Sequence, residues 1–195
     1  MRVRYYYDKL GRLHHRSIGV EGQTALLAGT EYYYQDNPDG STTPLISKVD
    51  SHGWVTEYTY DDNGNFTEAR ETRNGVVKVT GYEYDAIGQL IRVNDETDTT
   101  AGTAGTTWVF TYDLGGNILT KAAYPYTTGT VGTAAESHTY TYGNAGWKDQ
   151  LTAFDGTPIT YDAIGNPLNE GTWTYTWQHG KQLASNEQDR GNGVV

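Results

Sequence analysis

The chain contains no cysteine. That absence excludes disulfides, thiolate nucleophiles and cysteine metal sites, and leaves the cellular compartment open. Helical patterning is missing as well, because Leu, Ala and the single Met never recur at helical spacing beyond short runs. Thr24-Ala25-Leu26-Leu27-Ala28 is the one stretch that could form a helical turn, and it is too short to hold one alone. No segment approaches the roughly 20 apolar residues of a membrane-spanning helix, so membrane insertion is not expected. Basic residues are scarce: 14 Lys and Arg stand against 24 Asp and Glu, the formal charge is -10, and no basic cluster exceeds His14-His15-Arg16. A nucleic-acid partner is therefore not expected either. There is no signal peptide at the start, since Met1-Arg2-Val3-Arg4 runs straight into Tyr5-Tyr6-Tyr7-Asp8, and the chain reads as opening inside a repeated pattern.

Tyrosine, glycine and threonine are abundant. With 17 Tyr, 24 Gly and an aromatic share of 13%, the composition favours strands joined by turns and argues against disorder, which is poor in aromatics. At 36% hydrophobic residues, much of the stabilising area has to come from aromatic rings. The 195 residues are enough for a sizeable core in a compact shape.

One sentence recurs along the chain, spelled most fully as Tyr82-Glu83-Tyr84-Asp85-Ala86-Ile87-Gly88-Gln89-Leu90. Tyrosines one residue apart suit a strand, Asp85 and Gly88 bring turn chemistry, and Leu90-Ile91-Arg92-Val93 continues as a second strand. A five-residue loop from Asp85 to Gln89 sets Tyr84 opposite Leu90. Such cross-strand pairs contribute roughly 0.2–1 kcal/mol each, so this register is preferred, with Glu83 opposite Ile91. Copies built on the same anchors are Tyr7, Asp8, Gly11 and Leu13; Tyr60, Asp61, Gly64 and Phe66; Tyr112, Asp113, Gly116 and Ile118; and Tyr161, Asp162, Gly165 and Leu168. Worn copies stand at Tyr34, where Asn37-Pro38-Asp39-Gly40 makes the turn by other means, at Tyr142 leading to Leu151, and at Trp177 leading to Leu183. Asn74-Gly75 adds a turn that the pattern does not require.

Successive anchors lie 16 to 30 residues apart, the length of one hairpin with a return connection. A lone hairpin cannot bury its own apolar face, so neighbours must lie side by side. The expected fold is all-β: seven or eight tandem antiparallel hairpins in one continuous twisted sheet, with under about a tenth of residues helical. Residues 1–185 are expected to form one repeat domain without an internal boundary, and 186–195 a disordered tail. Asp36 to Thr43, Asp95 to Thr107 and Thr127 to Ser137 read as surface loops or long hairpin tips.

Sites of chemistry are hard to find. Asp61-Asp62-Asn63-Gly64-Asn65 invites a calcium-loop reading, yet Thr59 and Arg70 stand where an EF-hand needs acidic ligands, so turn chemistry explains it better. His14, His15, His52, His138 and His179 fall in different repeats without metal-ligand spacing. The recurrent Asp8, Asp61, Asp85, Asp113 and Asp162 each sit at the mouth of a turn, and a periodic carboxylate is unlike the single matched pair of a glycosidase. Gly102-Thr103-Ala104-Gly105 and Gly129-Thr130-Val131-Gly132 lack the lysine of a phosphate loop. Asn65-Phe66-Thr67 matches a glycosylation sequon without a context that calls for it. No catalytic residue, metal or cofactor is expected. One binding alternative remains: Trp54, Trp108, Trp147, Trp173 and Trp177 as platforms stacking on a glycan, against the plainer reading in which they belong to the core of the sheet.

The repeated Tyr-Asp-x-x-Gly-x-Leu resembles the YD repeat of the RHS protein family, over about Tyr5 to Ala184. Its members include bacterial wall-associated and polymorphic-toxin proteins, Tc toxin components and teneurins. Ile159 to Leu168 followed by Trp173-Thr174-Tyr175-Thr176-Trp177 is similar to repeats of Gram-positive members. The resemblance implies a long sheet that spirals into a hollow shell around a C-terminal toxin or unfolded cargo, in a secreted or cell-wall-associated protein. The implied partner is then the remainder of the same polypeptide, further repeats and cargo included. Gln35, Gly143 and Gln178 depart from the Asp of the pattern. Nothing resembles the Asp- and Pro-rich autoproteolytic core motif, so no enzymatic activity is expected of this chain. Self-association is expected from unpaired strand edges, guarded at the start by Arg2 and Arg4 alone and near the end by Pro158 and Pro167.

Overall fold

The structure is a computed structural model that describes residues 1–23, 25–96 and 105–191. Of the segments named above, Thr24, most of the Asp95 to Thr107 loop with the 102–104 stretch, and 192–195 lie outside the described residues. All regular structure among the described residues is β. The strands are β1 (Arg2–Tyr7), β2 (Leu13–Gly19), β3 (Leu26–Asp36), β4 (Thr42–Ser51), β5 (Trp54–Tyr60), β6 (Phe66–Arg73), β7 (Val76–Tyr84) and β8 (Leu90–Glu96). They continue as β9 (Thr106–Tyr112), β10 (Ile118–Pro125), β11 (Glu136–Thr141), β12 (Ala153–Phe154), β13 (Thr157–Tyr161), β14 (Pro167–Glu170), β15 (Trp173–Gln178) and β16 (Gln182–Gln188). Hydrogen bonding follows sequence order from β1 to β16 in one 16-stranded sheet, the all-β tandem-hairpin architecture that the repeats call for. Leu26 to Ala28, the weak helical candidate, belong to β3.

The expected register holds at its centre, with Tyr84 opposite Leu90. One residue further the expectation fails, because Glu83 faces Arg92 and leaves Ile91 as an unpaired bulge. The same step recurs after Tyr7↔Leu13, Tyr60↔Phe66, Tyr161↔Pro167 and Trp177↔Leu183. It removes Leu168 from its assigned place: the residue opposite Tyr161 is Pro167, and Leu168 is the bulge. Proline is tolerated there because the bulged ladder does not call on its missing N–H.

Three of the return connections among the described residues are two-residue turns with both central residues at positive φ, His52-Gly53, Asn74-Gly75 and Asp155-Gly156, a turn whose twist matches that of antiparallel strands. Asn74-Gly75 is thus an ordinary return, not an addition to the pattern. Residues 186–188, expected in the frayed tail, are paired with β15.

The chain divides into two compact units, where the repeats alone suggested none: residues 1–108 with 124–133, and 109–123 with 134–195. In an array built on nearest-neighbour contacts, such a division leaves no mark in the repeat pattern. Enclosed apolar core is minimal, since Ala122 and Ala123 are the buried hydrophobic side chains among the described residues. The rings instead cover one another within the sheet, as Tyr58 and Tyr60 do against Phe66 (centroids 5.1 and 4.9 Å apart) and Tyr140 against Phe154 at 5.2 Å.

Candidate functional site

The recurrent feature of the molecule is the cassette turn. In the first copy the Asp8 N–H donates to the Arg12 carbonyl at 2.9 Å and the Gly11 N–H to the Asp8 carbonyl at 3.1 Å. Gly11 takes φ 78°, and the equivalent Gly64, Gly88, Gly116 and Gly165 lie between 82° and 87°, a region that costs an L side chain roughly 1–2 kcal/mol. Each Asp carboxylate then accepts from the backbone two and four residues on. Asp61 Oδ1 takes the N–H groups of Asn63 and Asn65, both at 2.9 Å, and Asp8, Asp85, Asp113 and Asp162 repeat the arrangement.

The second carboxylate oxygen engages the residue that follows the turn glycine, a position left as "any residue" in the repeat pattern. Asn65, Asn117 and Asn166 each donate Nδ2 to Oδ2 of their own Asp, at 2.9, 2.9 and 2.7 Å, and Arg12 does so through Nε at 2.7 Å. These side chains also reach the next turn. Arg12 Nη1 donates to Thr42 Oγ1 and the Thr43 carbonyl at 2.8 and 2.5 Å, with its guanidinium 4.0 Å over the Tyr34 ring. Asn117 contacts Asp149 at 3.3 Å, and Asn166 donates to the Gly180 carbonyl at 2.7 Å. The recurrence of Asn after Gly at 65, 117 and 166 was the available signal.

Worn copies solve the same problem with Asn. Asn37 N–H donates to the Ser41 carbonyl and Gly40 N–H to the Asn37 carbonyl, at 2.6 and 2.9 Å. Asn144 Oδ1 accepts the N–H groups of Gly146 and Trp147 at 3.0 and 3.2 Å, and its Nδ2 meets Gln150 Oε1 at 2.6 Å.

A second link runs between neighbouring cassettes through the anchor ring. Tyr34 donates its hydroxyl to the Leu13 carbonyl (2.9 Å), Tyr60 to Ile46 (2.6 Å) and Tyr161 to Leu151 (2.7 Å), while the Trp177 indole N–H donates to Pro167 at 2.7 Å. In every case the acceptor is the residue that closes the preceding hairpin. Burial pushes the hydroxyls of Tyr60, Tyr84, Tyr142 and Tyr161 above the ordinary tyrosine range.

The carboxylates are shifted in the opposite sense. Hydrogen bonding from the Asn65 and Asn117 side chains holds Asp61 and Asp113 below the ordinary 3.8, and the Asn166 N–H does the same for Asp162. A carboxyl group depressed in the folded state stabilises above its unfolded value and loses that contribution as pH falls through the folded one. Melting temperature is therefore expected to stay level down to about pH 4 and to fall below it, which a series of thermal melts checks. Asn166 is 4% exposed, and Asn166→Ala leaves the Gly180 carbonyl and one Asp162 oxygen unmatched. The expected loss is roughly 1–3 kcal/mol, read by denaturant titration.

Among the described residues the turn carboxylates are not set in a matched catalytic pair. The five periodic carboxylates are occupied by their own turns, and no group of three or more His, Asp or Glu among the described residues could hold a metal ion. His138 bridges Asp155 Oδ2 at 2.6 Å and Glu136 Oε1 at 2.7 Å, His52 sits in a return turn, and His179 sits in the cassette turn between Trp177 and Leu183. The tryptophans serve different local contacts. Trp54 carries Arg73 over its ring at 4.7 Å, Trp147 lies against Gly165, Trp177 bonds Pro167, and Trp108 and Trp173 are half-buried in β9 and β15. No helix among the described residues is long and apolar enough to cross a membrane.

Comparison with known proteins gives one consistent picture. No family model matches the chain. It is 30% identical over 164 residues to the tRNA3(Ser)-specific nuclease WapA of Bacillus spizizenii, covering 75% of this chain and 6% of that protein. It is also 30% identical over 88 residues to the tRNA nuclease WapA of Bacillus subtilis, covering 45% of this chain and 3% of that one. Among solved structures, the Photorhabdus luminescens Tc holotoxin pore matches 97% of this chain over 11% of its own, with a TM-score of 0.59 and 18% identity. The chain thus spans a small fraction of each relative, and the structural likeness concerns the fold.

Proposed function

Because the chain belongs to the RHS/YD-repeat family, we propose that it is a non-catalytic stretch of shell wall that encloses or displays a C-terminal toxin or effector of the same polypeptide. The observation that carries this reading is the sheet itself: strands added in unbroken sequence order, with Ala122 and Ala123 the buried hydrophobic side chains among the described residues. A sheet gains stability by packing an apolar face on another layer, and further chain of the same protein would supply that layer. The strands from Arg2 to Gln188 serve as the repeat array, and the Tyr, Asp, Gly and closing residue of the full copies serve as its structural anchors. The nuclease activities in the names of the Bacillus relatives belong to those proteins, of which this chain spans 6% and 3%. The parent protein acts outside the cell, secreted or attached to the wall.

Limited proteolysis of the full-length protein tests the proposal. The C-terminal portion should resist cleavage while the cassettes are intact and become sensitive when they are destabilised by Tyr60→Ala. Equal cleavage in both proteins would overturn the enclosure.

A further inference from the structure

His138 stands between two carboxylates that strand pairing alone does not call for. Its Nδ1 lies 2.6 Å from Asp155 Oδ2 and its Nε2 lies 2.7 Å from Glu136 Oε1. An ionised carboxylate only accepts, so both contacts are hydrogen bonds only when both ring nitrogens carry a proton. The geometry is that of an imidazolium. A neutral ring has one bare nitrogen and would turn its lone pair on a carboxylate oxygen at the same distance.

Several elements converge on this ring. Glu136 opens β11 and shares a face with His138. Asp155 opens the Asp155-Gly156 return between β12 and β13, at φ 47°. Its Oδ1 accepts the Thr139 N–H at 2.7 Å, and its own N–H donates to the Thr139 carbonyl at 2.9 Å. The His138 ring lies on Phe154, with centroids 5.2 Å and planes 23° apart. On β10, Lys121 is the residue opposite His138, a positive charge set against the pair of negative ones. Thr157 and Pro158 face β12 from β13 and do not titrate. Bonding to Asp155, and after it to Glu136, lifts His138 above its ordinary 6.5.

The seam that these contacts close is narrow. β11 and β12 pair through Tyr140↔Phe154 and Thr141↔Ala153, and β12 meets β13 through Ala153↔Pro158 and Phe154↔Thr157. By contrast, β5 and β6 pair all the way from Trp54↔Arg73 to Tyr60↔Phe66. Strand pairing as short as that of β12 is marginal by itself, so side-chain bonds at its end weigh more here than along the longer ladders.

We propose that His138, Glu136 and Asp155 form a proton-operated clasp on the β11–β12–β13 seam, closed while the imidazole is protonated and released when it loses its proton. A histidine whose folded value is raised contributes in full below its unfolded 6.5 and loses that contribution as pH rises through the folded value. The seam is therefore tight in mildly acid surroundings and loosens on the alkaline side, in an opening local to residues 136–158. The clasp concerns the sheet alone and stands whether or not the array encloses a cargo.

Proton NMR titration of the His138 ring, together with amide hydrogen exchange across residues 136–158 corrected for the intrinsic effect of pH, tests the clasp. The ring should titrate above 6.5. Glu136→Gln and Asp155→Asn should each lower that midpoint, asparagine being a residue that keeps the turn at positive φ. Protection of the seam should drop between about pH 6 and about pH 9, by about tenfold for a midpoint one pH unit above 6.5, while protection of β5 and β6 holds. His138→Gln should abolish the drop. Glu136 is exposed, so Glu136→Gln leaves the fold standing and should shrink the drop in step with its lowered midpoint. A wild-type midpoint at or below 6.5, seam protection equal at both pH values, or a drop that persists undiminished in His138→Gln or Glu136→Gln would each overturn the proposal.

Discussion

Gly165→Val is expected to destabilise the protein by roughly 2–4 kcal/mol, about twice the cost of Gly88→Val. Both glycines hold the left-handed position of a cassette turn, at φ 87° and 82°, so both substitutions carry the penalty of a β-branched residue at positive φ. Their surroundings differ. A Cβ at Gly88 meets nothing within 4 Å, whereas one at Gly165 would lie 2.6 Å from Cη2 and Cζ3 of Trp147. The Trp147 ring is half-exposed at 50% and has room to swing away, losing its cover as it does so. Thermal melts of the two variants measure the difference, and a red-shifted tryptophan emission specific to Gly165→Val reports the displaced ring. Equal destabilisation without an emission change would show that Trp147 is not seated on the turn.

Tyr60→Ala is expected to cost roughly 2–3 kcal/mol. The ring is half-buried and pairs with Phe66 at 4.9 Å, a contact worth about 0.5–1.5 kcal/mol beyond area, and its partial burial adds a share of the ~1.5–3 kcal/mol assigned to a fully buried side chain. Tyr60→Phe keeps the ring and removes only the bond to the Ile46 carbonyl, for about 0.5–1.5 kcal/mol. Tyr7→Phe is the control: this anchor is exposed, and its substitution should leave the melting temperature of the isolated chain unchanged. A Tyr60→Phe variant as stable as the wild type would mean that the hydroxyl link does not couple neighbouring hairpins.

Residues near the turn were legible because their chemistry is local. The pairing of Tyr84 with Leu90 follows from loop length and the preference of an aromatic ring for an aliphatic partner, and the ladder has it. The bulge one step further was not legible. Ile91 is as good a strand residue as its neighbours, and its exclusion depends on the twist leaving the turn. The same step misled the assignment of Leu168, where hydrophobicity pointed to leucine and the backbone selected Pro167. The lateral links were harder still. Arg12 reaches Thr42, Tyr60 reaches Ile46 and Asn166 reaches Gly180, at separations that vary with the length of each return, so no fixed spacing marks them. Rings expected to fill a core are instead half-buried against in-sheet neighbours, because the array offers them no second layer.

Electron cryomicroscopy of the full-length protein tests the central claim most directly. The account predicts that residues 2–188 lie within the wall of a shell, strand beside strand in the register described, with one face turned toward enclosed density of the same polypeptide. A sheet standing apart from any enclosure, with solvent on both faces, would contradict it.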